Sequence, residues 1–411
     1  MPNYLAPGVY IVEEPSGARP IEAVGTSTAA FVGVAPKADA PTDKALRINN
    51  WTQFQKEYCG ADSASTHLAQ AVYGFFLNGG TVCYIVNVGK DNPIVGDARE
   101  RRGLDLLKEV DDVAIVAAPG YADPQSYEAL LAHCENMKDR VAILDTPEKV
   151  ANIDMLTQVA TAKATRKPKG GEGEGAAAGP PESGGLRPRQ SDRGYGAVYY
   201  PWITVSDVFN SKESIAVPPS GHIAGIYART DGMRGVHKAP ANEAIRGATE
   251  VVSRLTQEDQ ERLNPNGVNC IRFFQNEGIR VWGARTLAAS ASEWRYVNVR
   301  RLFNMIEQSI VRSTRWVVFE PNDYSLWKSI RRDVSAFLTL VWRQGALMGQ
   351  TPDQAFFVKC DAETNPPEDI DAGRVNILIG IAPVKPAEFV IFRIGQGVAG
   401  AEVTTEGGAN A

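Results

Sequence analysis

Apolar positions in the first half of the chain alternate between a helical and a strand rhythm. Residues 51–58 and 65–77 read as helices, the second with Leu68, Val72, Phe75 and Phe76 on one stripe. Asn78-Gly79-Gly80 is a helix stop, and Thr81-Val82-Cys83-Tyr84-Ile85-Val86-Asn87-Val88 is a buried strand. The rhythm repeats: helix over 104–110, strand over 113–118 closed by Pro119-Gly120, helix over 126–137, strand over 141–145. Strands separated by helices need crossover connections, which predicts a mostly parallel sheet that a strand within 28–34 opens. A further strand spans 196–205 despite Pro201, and a helix over 241–255 is expected to close this region.

The second half reads differently. Residues 269–286 form a hairpin about the turn Asn276-Glu277-Gly278. One helix then carries Val299, Leu302, Phe303, Ile306 and Ile310. Another begins after Pro321, capped by Asn322 or Asp323, and carries Leu326, Ile330, Val334, Phe337 and Val341. Strands are expected over 356–360, 375–382 and 389–394. Near the N-terminus, Val9, Tyr10, Ile11, Val12 and Glu13 form a short strand between Pro7-Gly8 and Pro15-Ser16-Gly17, with no local partner. Residues 163–196 are rich in Gly, Pro and Glu, which predicts a flexible surface loop; the last residues are small and polar and predict a frayed tail.

The 411 residues are 44% hydrophobic and 22% charged, with a net charge of -5. That excludes a disordered chain and gives no bulk affinity for nucleic acid. No run approaches the ~18 apolar residues of a spanning helix, and the first residues do not read as a secretory signal. Five separated cysteines without a Cys-x-x-Cys pair fit synthesis in a reducing cytoplasm. There is no phosphate loop, and none of His67, His133, His222 and His237 stands at zinc spacing; His222, Asp231 and His237 match no ligand geometry, so neither metal nor cofactor is expected. Gly25-Thr26-Ser27-Thr28-Ala29 resembles the nucleophile segment of subtilisin-like proteases. No histidine precedes it, and His67 lacks the glycine that normally follows the protease histidine. It reads as a turn of small residues entering a strand; the alternative is an α/β hydrolase with Ser27 as nucleophile. Residues 294–345 hold nine basic side chains against Glu307, Glu320, Asp323 and Asp333. Lys328, Arg331 and Arg332 fall opposite the apolar stripe of their helix, as a solvated face or as a surface for an acidic partner.

Several stretches together resemble the contractile tail sheath family of phage tails, bacteriocin-like tails and contractile injection systems. They are Pro7-Gly8-Val9-Tyr10, Phe76-Leu77-Asn78-Gly79-Gly80, Gly221-His222-Ile223-Ala224-Gly225, Tyr227-Ala228-Arg229-Thr230-Asp231, Gly267-Val268-Asn269, Trp282-Gly283-Ala284-Arg285-Thr286, Tyr296-Val297-Asn298-Val299-Arg300-Arg301 and Phe319-Glu320-Pro321-Asn322. The resemblance implies an α/β and α+β architecture. An outer α/β domain of subtilisin-like topology without a catalytic triad would span 21–262, and an inner α+β domain 263–385. Extended arms, 1–20 and 386–411, would add strands to a sheet of another subunit. The strand residues of the arms would be Val9 to Glu13 above and Phe389, Val390, Ile391, Phe392, Arg393 and Ile394. The implied function is that of a structural, non-enzymatic subunit of a helical contractile sheath. Its expected partners are further copies of itself, an inner tube met by Lys328, Arg331 and Arg332, and baseplate and terminator or cap proteins. Nucleic acid and direct membrane insertion are not expected, and assembly is expected in the bacterial cytoplasm.

Overall fold

A computed structural model of the chain describes residues 19–60, 63–90, 92–96, 101–161 and 184–391. The candidate arm residues 9–13 lie outside these, as do Phe392, Arg393, Ile394 and residues 162–183.

The strand β1 (Ala29–Gly33) is buried along its whole length. Its side chains alternate between faces, as the pleat requires: Ala29 and Phe31 join one apolar cluster, Ala30 and Val32 another. Then come β2 (Ala45–Ile48), α1 (Trp51–Tyr58), α2 (His67–Leu77), β3 (Cys83–Asn87), a 3-10 turn at Gly103–Glu109, β4 (Ile115–Ala117), α3 (Pro124–Met137) and β5 (Val141–Asp145). They are followed by β6 (Gly196–Tyr200), β7 (Ile203–Ser206), β8 (Ser214–Val217), α4 (Ser220–Arg234), β9 (Glu243–Ala244), β10 (Ala248–Val251), α5 (Gln257–Leu263), β11 (Val268–Phe274) and β12 (Gly278–Val281). The main sheet has the order β2-β3-β1-β4-β5-β6-β11-β12-β9. Strands β3, β1, β4, β5, β6 and β11 run parallel, and antiparallel strands close both edges. One face is covered by α2 and α4, the other by α3 through Tyr127, Leu130 and Leu131. A small antiparallel sheet, β10-β7-β8, flanks this body.

The contact between α2 and α4 depends on missing side chains. A Cβ on Gly221 would stand 2.3 Å from the Ala71 Cα, and one on Gly225 2.5 Å from the Phe75 carbonyl oxygen. A third glycine, Gly74, makes room for the His222 ring. This is why Gly221 and Gly225 stand where they do in the buried helix α4.

The remaining elements are α6 (Val297–Ser313), α7 (Tyr324–Arg343), α8 (Pro352–Ala355), β13 (Phe356–Lys359), α9 (Pro367–Asp371) and β14 (Leu378–Ile381). Here Leu302, Ile306, Leu326, Ile330, Val334, Phe337 and Val341 form a third core, the stripes that the 3.6-residue period predicts. Ile21 belongs to the same core, so the chain threads through this unit before entering β1. Asp323 caps α7 by accepting from the Leu326 N–H at 2.9 Å.

Four expectations need correction. Residues 241–255 form no helix: Gly247 takes a left-handed φ of 86°, and the chain is drawn into β9 beside β12 and β10 beside β7. The hairpin β11–β12 does not begin the second unit, because β11 is the last parallel strand of the main sheet, with Val268 opposite Val198. The boundary at 262 therefore falls inside the first body. The predicted loop 163–196 is too long at its far end: Arg189 grips Glu128 at 2.6 Å and Glu135 at 2.8 Å, and Ser191 donates to Glu135 at 2.7 Å. Finally, residues 389–391 are not in a strand; they are unpaired in the single chain, with Phe389, Val390 and Ile391 at 70%, 70% and 80% exposure.

Candidate functional site

The two bodies meet along α6. Arg301, in its first turns, points into the seam and donates to Asp231 of α4 at 2.9 and 2.5 Å. The same guanidinium donates to the Thr26 carbonyl at 3.0 Å, and the Thr26 hydroxyl donates to Asp231 at 2.5 Å. Its flat face lies 4.7 Å from the Tyr227 ring centre, and the Tyr227 hydroxyl meets that of Tyr199 at 2.7 Å. One buried cation thus ties together the strand-entry segment, the central helix and the second unit.

The alternative of a hydrolase with Ser27 as nucleophile gains no support from this geometry. The neighbouring Thr26 is tied to Asp231, and His133 and His222 are buried with ring nitrogens that have no hydrogen-bond partner among the described residues. His67 packs edge-on against Trp202, His222 against Gly74, and the burial of His133 and His222 pushes each imidazole down to about 4. At the carboxyl end of β5, Asp145 accepts from the Ser220 N–H at 2.9 Å, the Ser220 hydroxyl at 2.7 Å and the Gly120 N–H at 3.2 Å. It fixes the start of α4. Burial raises its carboxyl to about 6 against the pull of those bonds. Asp145 and Ser220 are both buried and spent on each other, so neither is presented to a substrate. Among the described residues no group of three or more His, Cys, Asp or Glu is placed to hold a metal, and no helix is long and apolar enough to cross a membrane.

The basic stretch 294–345 divides in two. Arg300 is buried in a cage, its guanidinium 4.3 Å from the Trp294 ring centre and 4.7 Å from that of Tyr195, with Asn304 accepting at 2.8 Å. Arg301 is spent in the seam, and Arg312 donates to the Asp111 carbonyl. Part of the basic excess of 294–345 is therefore spent inside the molecule. Lys328 and Arg332 are exposed and Arg331 is half-buried; Arg332 donates to Asp333 at 2.9 Å. The exposed positions on α7 continue as Tyr324 and Leu340. Just before the helix, Phe319 is fully exposed at a φ of 70°.

Strands β13 and β14 form a sheet of two, with Phe357 opposite Gly380 and, among the described residues, no further strand on either edge. Phe357 and Leu378 remain exposed on it.

Two family models match the chain: the phage tail sheath protein central domain over residues 188–287 and the phage tail sheath C-terminal domain over 289–396. The chain is similar to a subunit of the PVC sheath complex of an extracellular contractile injection system in its contracted state. Identity is 32%, the TM-score 0.75, and the match covers 97% of this chain and 99% of that one. The chain belongs to the contractile tail sheath family. A second sheath relative, from the contracted helical sheath of the anti-feeding prophage, is 31% identical with a TM-score of 0.72, covering 95% of this chain and 99% of that one. The curated tail sheath protein of Vibrio phage KVP40 is 29% identical over 177 residues, 42% of this chain; the chain spans about a quarter of that relative's length, 26%.

In this sheath protein the matched models divide at 287–289, beyond the hairpin that the sequence reading assigned to the second unit. Sequence reasoning missed the Arg301–Asp231 seam, the Arg300 cage and the Asp145–Ser220 tie. In α6 the spacing gave no signal: at 100° per residue Arg301 falls opposite the stripe of Val299, Leu302, Phe303, Ile306 and Ile310 and Arg300 beside it, and both are buried because Val297 to Leu302 are covered on every side. For Asp145 there was none, since its partner lies 75 positions away.

Proposed function

We propose that the chain is the repeating subunit of a helical contractile sheath, which surrounds an inner tube and contracts to drive that tube through a target cell envelope. The observation that carries this reading is the likeness to a contracted-state sheath subunit, which runs the length of both chains at 32% identity. The body around the main sheet is the outer domain, of subtilisin-like topology and without catalysis. The α6–α7 unit with the β13–β14 sheet is the inner domain, whose Lys328, Arg331 and Arg332 face the tube.

The two-stranded sheet is the receiver for the arms. A sheet of two is marginal alone, and its open edges suit strand addition by residues 9–13 of one neighbour and 389–394 of another. About five backbone hydrogen bonds per added strand, each a net ~0.5–1.5 kcal/mol, contribute several kcal/mol per link. Such links hold while the bodies rotate about flexible joints. Further copies, the inner tube, the baseplate and a terminator or cap protein complete the particle, a phage tail or a related injection device assembled in the bacterial cytoplasm. Neither a cofactor, nucleic acid nor membrane insertion is required.

The test is electron microscopy of the purified chain by negative stain. Long tubes are expected from the full chain, and a folded monomer from the chain lacking residues 1–14. A full chain that stays monomeric at high concentration and is labelled at Ser27 by a fluorophosphonate would overturn the reading in favour of a hydrolase.

A further inference from the structure

The last described residues change character at one side chain. Up to Val384 the chain is tied to the second unit: the Val384 N–H donates to the Ala346 carbonyl at 3.2 Å, and Asn298 donates to the Val384 carbonyl at 3.1 Å. From Phe389 to Ile391 it is exposed and apolar. Between these lies Glu388. Its carboxylate accepts from Arg285 through both oxygens, at 2.8 and 2.8 Å, from Asn264 at 2.8 Å and from the Tyr296 hydroxyl at 2.9 Å. Each donor comes from a different element. Asn264 ends α5, Tyr296 caps α6, and Arg285 follows β12.

Arg285 is itself fixed from behind. Its side chain is 8% exposed and also donates to the Asn264 carbonyl at 3.1 Å. Its backbone N–H donates to Asn269 at 2.7 Å, and Asn269 in turn donates to the Val198 carbonyl at 3.1 Å. Glu388 is therefore connected through Arg285 and Asn269 to β11 and β6, in the centre of the main sheet. A surface-only ion pair would need none of this; a bidentate arginine held on both sides is a directional anchor.

We propose that Glu388 is a positioning residue: clamped by Arg285, Asn264 and Tyr296, it is the anchor from which the C-terminal arm leaves for a second copy of this chain, and it delivers the pull of that arm to the main sheet. This rests on the arm reading above. The clamp fixes the exit direction of Phe389, Val390 and Ile391, so a neighbour's sheet edge meets a strand already aimed rather than one searching from a loose joint. Fixing the root of the arm lowers the ordering cost of strand addition. It also places the load path through buried parallel strands instead of through the small β13–β14 sheet. Without the clamp the chain is next held at Val384, four residues earlier.

The experiment compares a truncation after Ala387 with Glu388→Ala and Glu388→Gln in the full chain, reading tube yield by sedimentation and micrographs and monomer stability by thermal melting. Expected are no tubes from the truncation and a drop of tenfold or more for Glu388→Ala, whose monomer still folds cooperatively but melts earlier because the buried Arg285 loses its carboxylate. An intermediate yield is expected for Glu388→Gln, which keeps an accepting oxygen but not the charge. Wild-type tubes from the truncation would overturn the arm reading and the anchor with it. Loss of tubes on truncation together with wild-type yield from Glu388→Ala would overturn the anchor alone. A Glu388→Ala chain that fails to fold, together with wild-type tube yield from Glu388→Gln, would also overturn it, by making Glu388 a part of the fold.

Discussion

At the scale of single residues, the seam ion pair and Asp145 carry opposite electrostatic signatures. The side chains of Arg301 and Asp231 are only 3% and 6% exposed, so Asp231 cannot recover its hydration when the cation is removed. Arg301→Met should therefore lose about 3–5 kcal/mol of unfolding free energy in urea titrations, the usual cost of orphaning a buried charge. Arg301→Lys should restore only part of it, because an ammonium cannot span both Asp231 oxygens and the Thr26 carbonyl as the planar fork does. A loss below ~1 kcal/mol for Arg301→Met would show that the seam is wet. Asp145 works the other way. Its folded pKa, raised to about 6 from the ordinary 3.8, means that the folded state binds this proton more tightly than the unfolded chain. That contribution is complete below pH ~4 and is lost as the pH rises through about 6. Asp145→Asn removes the titration, so the stability of wild type minus variant should fall between pH 4 and pH 7, by about 3 kcal/mol at most. A difference that is flat or rises over that range would place the carboxyl at or below its ordinary value.

At the scale of elements, the α2–α4 contact gives a sharp expectation. A Cβ on Gly221 meets main-chain atoms of Ala71 at 2.3 Å, which no rotamer change can relieve. Gly221→Ala should destabilise by more than the ~1–3 kcal/mol typical of overpacking, despite the better helix propensity of alanine, and Gly232→Ala on the same helix, where nothing lies within 4 Å, should be neutral or slightly stabilising. Thermal melting of the two variants checks this; equal melting temperatures would contradict the close approach. Elements with a strong local period were legible. The stripe of α7 and the apolar runs of the buried strands β3, β4 and β5 follow from spacing alone, whereas the cap of α7 stayed open between Asn322 and Asp323 and the structure assigns it to Asp323. What was not legible was non-local. Residues 243–251 have helical composition, yet Asn242 donates its N–H to the Val281 carbonyl at 2.8 Å and the segment pairs with strands far away in sequence. Likewise, the alternation in β11 and β12 says that they pair with each other but not that β11 also joins β6. The candidate site divides in the same way: the basic positions of α7 were readable as a face, whereas Arg300 and Arg301 looked equally basic until their partners, brought in by tertiary folding, were placed.

At the scale of the whole molecule, the exposed part of α7 has to be judged against the charges around it. With Arg300, Arg301 and Arg312 engaged internally, the outward positive charge rests on fewer groups, Lys328, Arg331 and Arg332 among them. A tube surface of acidic character would complement this face, and pairs that stay partly solvated are worth only ~0–1 kcal/mol each. Weak contacts repeated along a polymer suit a sheath that must hold its tube when extended and let go everywhere at once when it shortens. On the proposed function, the free energy of shortening would come from subunit packing, a bistable interface, rather than from the tube contact. Reversing Arg332 would set a second carboxylate beside Asp333, whose side chain is 6% exposed, and would confuse folding with recognition. The cleaner variant is Lys328→Glu with Arg331→Glu, leaving Arg332 in place. It should melt as wild type does and still form empty, contracted-type tubes, because neither the proposed arm links nor the main-sheet body is touched. Co-expressed with the inner tube protein, it should give fewer than one tenth of the extended, tube-filled particles that wild type gives, counted in micrographs, and raising the salt should weaken wild-type assembly toward the same outcome. Extended, filled particles at wild-type yield would make these side chains a solvated face and would overturn the proposed tube contact of α7.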